Sequence, residues 1–170
     1  MENRIRNIVM AALLAALACV ATLVIRIPSP TGGYMNLGDT VVLLGAYLLG
    51  PALGAAAGGI GSMLADLLSG YPVYAPATLV IKAVMAVLAG LLYRGLKRQK
   101  IGLAAAGLVG EAPMVAGYLC YDALLLRNFT GALAGVPSNL AQAALGIAAS
   151  TLLALALQKS AYVRRQFPNL

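Results

Sequence analysis

The stretch PATLVIKAVMAVLAGLLYRGLKRQK, residues 76–100, decides how the rest of the chain is read. Its first part is apolar apart from Thr78, Lys82 and Tyr93, and it then breaks into Arg94, Lys97, Arg98 and Lys100. A membrane span needs roughly 20 apolar residues, and lysine and arginine gather on the cytoplasmic side of such spans. The stretch predicts a helix over about 76–93 that crosses the bilayer, reaches the cytoplasm at its basic end and carries one lysine within its length.

Working outward, the same pattern recurs. Further apolar helices are expected over about 5–25, 38–49, 52–69, 102–126 and 138–158, with Gly50-Pro51 a tight break, Ser69-Gly70-Tyr71-Pro72 a turn and Pro113 a kink. Hydrophobic residues make up 61% of the chain and charged residues 10%, against about a quarter charged in a soluble domain. The expected fold is therefore an all-α integral membrane protein of six transmembrane helices, one domain over 1–170, in a cell membrane. The first helix starts with Arg4 and Arg6 like a signal peptide, but its apolar run is too long, and it is read as retained.

The basic residues set the orientation. Arg4, Arg6, Arg94, Lys97, Arg98, Lys100, Lys159, Arg164 and Arg165 fall on one side, Arg26 and Arg127 on the other, and Lys82 between them. This bias places both termini in the cytoplasm. The net charge of +7 is thus a topology signal and calls for no nucleic-acid partner. The two cysteines, Cys19 and Cys120, lie in separate apolar segments without metal-ligand spacing, and there is no histidine. Neither a metal nor a cofactor is expected.

Polar groups inside a membrane are costly and mark function by default. At about 1.5 Å of rise per residue, Lys82, Asp66, Tyr118, Tyr121, Asp122, Asn139 and Gln142 all fall in the outer half of their helices. Asp39 starts its helix on the same side, and only Glu111 lies deeper. Such asymmetry describes a pocket open to the outside, whereas a pore needs polar lining along its whole length. Tyr118 and Asp122 share a helix face, as do Asn139, Gln142 and Gly146. Each residue also has a plainer reading. Lys82 pairs with Asp66 or Asp122, or else meets a ligand; Asp39 caps its helix. Tyr34, Tyr71 and Tyr74 form an interfacial belt or stack on a ligand. The row Gly50, Gly54, Gly58, Ser62 and Asp66 reads as close helix packing of the small-xxx-small kind, with Asp66 its polar end. The Pro- and Gly-rich loop 28–36, with Tyr34 and Asn36, is a linker or a lid. Ala11 with Ala15, and Ala12 with Ala16, offer smooth helix surfaces to another helix of this chain or to a separate subunit.

An enzyme needs a nucleophile and base or a metal cluster, and five acidic residues without histidine leave few such sets. The chain is therefore not expected to be an enzyme. A stand-alone ion- or proton-coupled carrier, with Asp66, Lys82 and Glu111 as a relay, is the alternative function.

The run Asn36-Leu37-Gly38-Asp39, the break Gly50-Pro51, the segment from Gly58 through Ala65-Asp66 to Gly70-Tyr71, Ala75-Pro76 through Ile81-Lys82, and Gly90 resemble the substrate-binding S components of energy-coupling-factor (ECF) transporters, and most closely their riboflavin-type branch. The resemblance implies a six-helix membrane subunit that captures a vitamin in an outward-facing pocket covered by the first loop. It implies a partnership, through an alanine surface on helix 1, with a transmembrane coupling subunit and two ATPase subunits. The chain itself has no Gly-x-x-x-x-Gly-Lys-Ser/Thr phosphate loop. The substrate-binding candidates are Lys82, Asn139, Gln142, Tyr118, Tyr121, Asp122, Asp66, Tyr74, Tyr34 and Asn36. Tyrosine faces suit a flat heterocycle and amides its carbonyls and hydroxyls, as in riboflavin, pyridoxine or a pyrimidine-like base.

Overall fold

Apolar runs broken by Gly-Pro and Tyr-Pro turns fold into helices laid side by side. The structure, a computed structural model, describes residues 2–96 and 99–170, and for Glu2 and Asn3 the backbone alone. Lys97 and Arg98 of the expected basic loop lie outside the described residues. The elements are α1 (Glu2–Val24), β1 (Arg26–Pro28), β2 (Tyr34–Asn36), α2 (Gly38–Leu49), α3 (Pro51–Leu68), α4 (Ala75–Gly95), α5 (Lys100–Leu126), α6 (Phe129–Ala132), a 3₁₀ turn (Leu133–Gly135), α7 (Val136–Gln158) and α8 (Ala161–Gln166). Five helical segments among the described residues are long and apolar enough to cross a membrane: Arg4–Val24, Pro51–Leu68, Ala75–Gly95, Lys100–Leu126 and Phe129–Gln158.

The helix α2 differs in kind. Its 12 residues rise only about 18 Å, short of the roughly 30 Å hydrocarbon core. It contacts α1, α3, α4 and α7, and every residue from Gly38 to Leu48 is buried. It is the axis around which the others are wrapped. Val42, Leu43 and Tyr47 of α2 form the core with Leu14 and Ala18 of α1, Met85, Ala89 and Tyr93 of α4, and Leu103 and Met114 of α5. The outer surface is apolar instead: Leu13, Leu17, Leu108, Leu124 and Leu152 are exposed, as lipid-facing side chains should be.

Small residues let the helices approach. A Cβ at Gly54 would lie 2.7 Å from the Ala46 Cα, and one at Gly58 2.7 Å from the Val42 side chain. The glycine row on α3 is thus a packing stripe against α2. A Cβ at Gly61, on another face of α3, would strike the Ala15 carbonyl oxygen of α1. Pro113 lies within α5.

The two ends of the bundle are chemically distinct. At one end, Gly50 lies beside Arg94 and Asn169, Asn169 Nδ2 donates to the Leu48 carbonyl, and Arg6 donates to Gln166 at 2.9 Å. At the other end, the segment holding the Pro- and Gly-rich loop 28–36 is a β-hairpin, with Arg26 opposite Asn36 and Pro28 opposite Tyr34. The connection between α5 and α7 holds α6 and the 3₁₀ turn.

Candidate functional site

The hairpin closes over a cavity between α3, α4, α5 and α7. Its lining comprises Ser29, Thr31, Gly33, Tyr34 and Asn36 from the hairpin, Asp66 from α3, and Tyr74 and Thr78 at the head of α4. Tyr118 and Asp122 from α5, with Asn139 and Gln142 from α7, complete it. Helix periodicity explains the set: Tyr74 and Thr78, Tyr118 and Asp122, and Asn139 and Gln142 are spaced three or four apart and so share a face.

The hairpin is held by three contacts to helix side chains, one on α3 and two on α7. The Tyr34 hydroxyl donates to Asp66 Oδ1 at 2.6 Å. Ser29 Oγ and Ser138 Oγ of α7 are 3.1 Å apart. The Asn36 backbone N–H donates to Gln142 Oε1 at 2.7 Å. Behind them, Tyr74 donates to Asp122 Oδ1 at 2.9 Å and Thr78 meets the Tyr118 hydroxyl at 2.9 Å. Burial first, and then the Asp66 carboxylate, push the Tyr34 hydroxyl well above the ordinary tyrosine range; burial and Asp122 do the same for Tyr74. Both hydroxyls therefore stay protonated and act as donors. Asp66 Oδ2 is buried and has no hydrogen-bond partner, leaving an acceptor free beside the cavity. The cavity's volume is about 30 Å³, room for roughly two waters.

Below the cavity lies an ionic cluster. Lys82 Nζ pairs with Asp39 Oδ1, their side chains 2% and 1% exposed. Gln142 Nε2 donates to Asp39 Oδ2 at 2.7 Å. The one glutamine amide therefore joins the hairpin on one side to the ion pair on the other. The ammonium also lies 5.4 Å from the Tyr118 ring centroid. Two expectations are corrected here. Lys82 pairs with Asp39 rather than with Asp66 or Asp122, because α2 runs through the centre of the bundle. Asp39 does not cap α2: its carboxylate is taken by Lys82 and Gln142, and no side chain caps that helix. Glu111 is 2% exposed, without a hydrogen-bond partner for either oxygen. It sits deeper, where a Cβ on Gly146 would lie 2.7 Å from its Oε1.

Of the ten residues singled out from the sequence, eight line the cavity: Asn139, Gln142, Tyr118, Asp122, Asp66, Tyr74, Tyr34 and Asn36. Tyr121 stands outside it, donating to the Val73 carbonyl with its ring 5.5 Å from that of Tyr74. Lys82 lies beneath it. Ser29, Thr31, Gly33 and Thr78 were not among the ten; Thr78, four residues before Lys82 on the same face of α4, was findable by spacing. On α1, Ala11 and Ala15 are half-buried and pack inward, while Ala12 and Ala16 are exposed.

A family model described as "ECF-type riboflavin transporter, S component" matches residues 2–159. The chain belongs to this family. An S component is the substrate-binding subunit of an ECF transporter, so the chain is a membrane protein that binds a vitamin-like substrate for uptake and works with an ECF module. A solved chain described under "Structure and mechanism of the S component of a bacterial ECF transporter" is similar in fold, with a TM-score of 0.70 and 21% identity over 92% of this chain and 97% of that one. A relative from Pyrococcus woesei, described as "Uncharacterized protein in gap 3'region", is 41% identical over 132 residues, which is 75% of this chain and 85% of that protein. The hairpin-covered cavity is the candidate substrate site of this S component.

Proposed function

We propose that this S component captures riboflavin, or a similarly uncharged heterocycle rich in hydroxyl and imide groups, in the cavity beneath the β1–β2 hairpin. The observation that carries the reading is the lining. It offers three tyrosines, three amides, three Ser or Thr hydroxyls and two aspartates, and no lysine or arginine. Tyrosine rings suit a flat ring system. Asp66 Oδ2 and the amides suit ligand N–H and hydroxyl donors. A phosphate or carboxylate would meet Asp66 and Asp122, and the cation beneath them, Lys82, is already paired with Asp39. The family description, with its riboflavin, points the same way.

A cavity of about 30 Å³ admits a vitamin only when the hairpin moves, which breaks the Tyr34–Asp66, Ser29–Ser138 and Asn36–Gln142 contacts. The hairpin is thus the lid, on the outer side of the membrane. The single domain 1–170 crosses six times, α2 counted with the hairpin above it, and both termini lie in the cytoplasm; the basic residues support this by the positive-inside rule. The coupling subunit docks on the exposed Ala12 and Ala16, and two ATPase subunits complete the importer.

Riboflavin fluorescence tests the reading. Titrating purified protein into riboflavin should quench the flavin saturably, with flavin mononucleotide at least tenfold weaker. Saturable heat from another vitamin without flavin quenching would reject riboflavin while leaving the S-component role intact.

A further inference from the structure

At the basic end of the bundle, away from the ligand cavity, a groove of about 840 Å³ opens between the start of α5 and the end of α7. Its wall is apolar, formed by Leu152, Leu155 and Ala156, and its rim carries Lys100, Lys159 and Arg164. Leu152 is 67% exposed, and all three cations are exposed. No acidic side chain answers them among the described residues: Asp39, Asp66, Glu111 and Asp122 are all buried in the interior, and the one salt bridge described is Lys82–Asp39. The carboxylate of Leu170, also in the lining, accepts from Tyr93 and Gln158.

The level of the groove matters as much as its charge. Both α5 and α7 lie in segments long and apolar enough to cross a membrane, and the groove lies where one begins and the other ends. Such a position is the boundary between acyl chains and headgroups. Tyr162 on α8 is exposed at this same end, as tyrosines at a membrane interface are. An apolar wall continuing into the bilayer below three unpaired cations matches a molecule with a hydrocarbon tail and an anionic phosphate head.

We propose that this groove binds one anionic phospholipid, its phosphate against Lys100, Lys159 and Arg164 and an acyl chain along Leu152 and Leu155. The site stands apart from the substrate cavity and does not depend on which vitamin that cavity takes. Each cation near a membrane surface is worth about fivefold in lipid affinity, and three together roughly a hundredfold.

Native mass spectrometry of the purified full chain tests it, with phosphatidylglycerol and phosphatidylcholine of identical acyl chains as probes. The expected result is a single phosphatidylglycerol retained on the order of a hundredfold more tightly than phosphatidylcholine. The triple variant Lys100→Gln, Lys159→Gln, Arg164→Gln should lose that preference and keep the wild-type melting temperature. Neutralising Arg26 and Arg127, at the opposite end, should leave the preference unchanged. Equal binding of the two lipids, or an undiminished preference in the triple variant, would overturn the proposal. So would soluble glycerol phosphate binding as tightly as the intact lipid, since the apolar wall would then contribute nothing.

Discussion

Replacing Lys82 by methionine isolates what the buried ion pair does. The substitution removes the ammonium and leaves the Asp39 carboxylate, whose side chain is 1% exposed, with the Gln142 amide as its remaining donor. Stranding one member of a buried pair costs about 3–5 kcal/mol. With a shift of about 2–4 °C per kcal/mol for a chain of this size, the melting temperature should fall by roughly 6–20 °C. Asp39→Leu combined with Lys82→Met removes both charges and should recover about half of the loss. What stays lost is about 1–3 kcal/mol, because Gln142 Nε2 then has no acceptor. The assay is thermal unfolding followed by a thiol-reactive dye in a Cys120→Ala background, where the buried Cys19 reports opening of the bundle. A melting temperature unchanged in the single variant, together with lost ligand binding, would refute the structural assignment and make Lys82 a ligand contact.

Three further outcomes follow from contacts described above. Tyr34→Phe removes the only hydrogen bond described for Asp66 Oδ1; the closed lid is then held less firmly, and stopped-flow fluorescence should show ligand entry accelerated about 5- to 150-fold, from roughly 1–3 kcal/mol. On α1, Ala16→Trp should leave ligand affinity intact and abolish co-purification with the coupling subunit, whereas Ala15→Trp, packed inward near Gly61, should lower the melting temperature instead. Gly54→Val drives a side chain into Ala46 and should destabilise the protein by about 1–3 kcal/mol or more, read as a lowered melting temperature.

Much of the fold was legible because its signals are local. Gly50-Pro51 ends α2 and starts α3 where the sequence places the break, and a Gly-Pro pair allows little else. The polar residues at the hairpin end of the bundle were legible as one cluster because helix periodicity puts Tyr118 with Asp122 and Asn139 with Gln142. Asp39 was misread for the same local reason. Behind Asn36-Leu37-Gly38 it has the pattern of a cap, while its true partner, Lys82, is 43 residues away and is met only because α2 is central. The hairpin left no pattern: three-residue strands are too short for alternation to register. Ser29, Thr31 and Thr78 carry no charge to mark them, so they enter the site through the geometry of neighbours that do.

The central claim, that ligand enters by displacing the hairpin, is tested most directly by locking it. Ser29 and Ser138 have hydroxyl oxygens 3.1 Å apart, so Ser29→Cys with Ser138→Cys, in a background with Cys19 and Cys120 replaced by alanine, should oxidise to a disulfide tying lid to α7. Riboflavin titrated into the oxidised protein should show no binding, and reduction should restore it. Full binding to the oxidised, cross-linked protein would contradict the account.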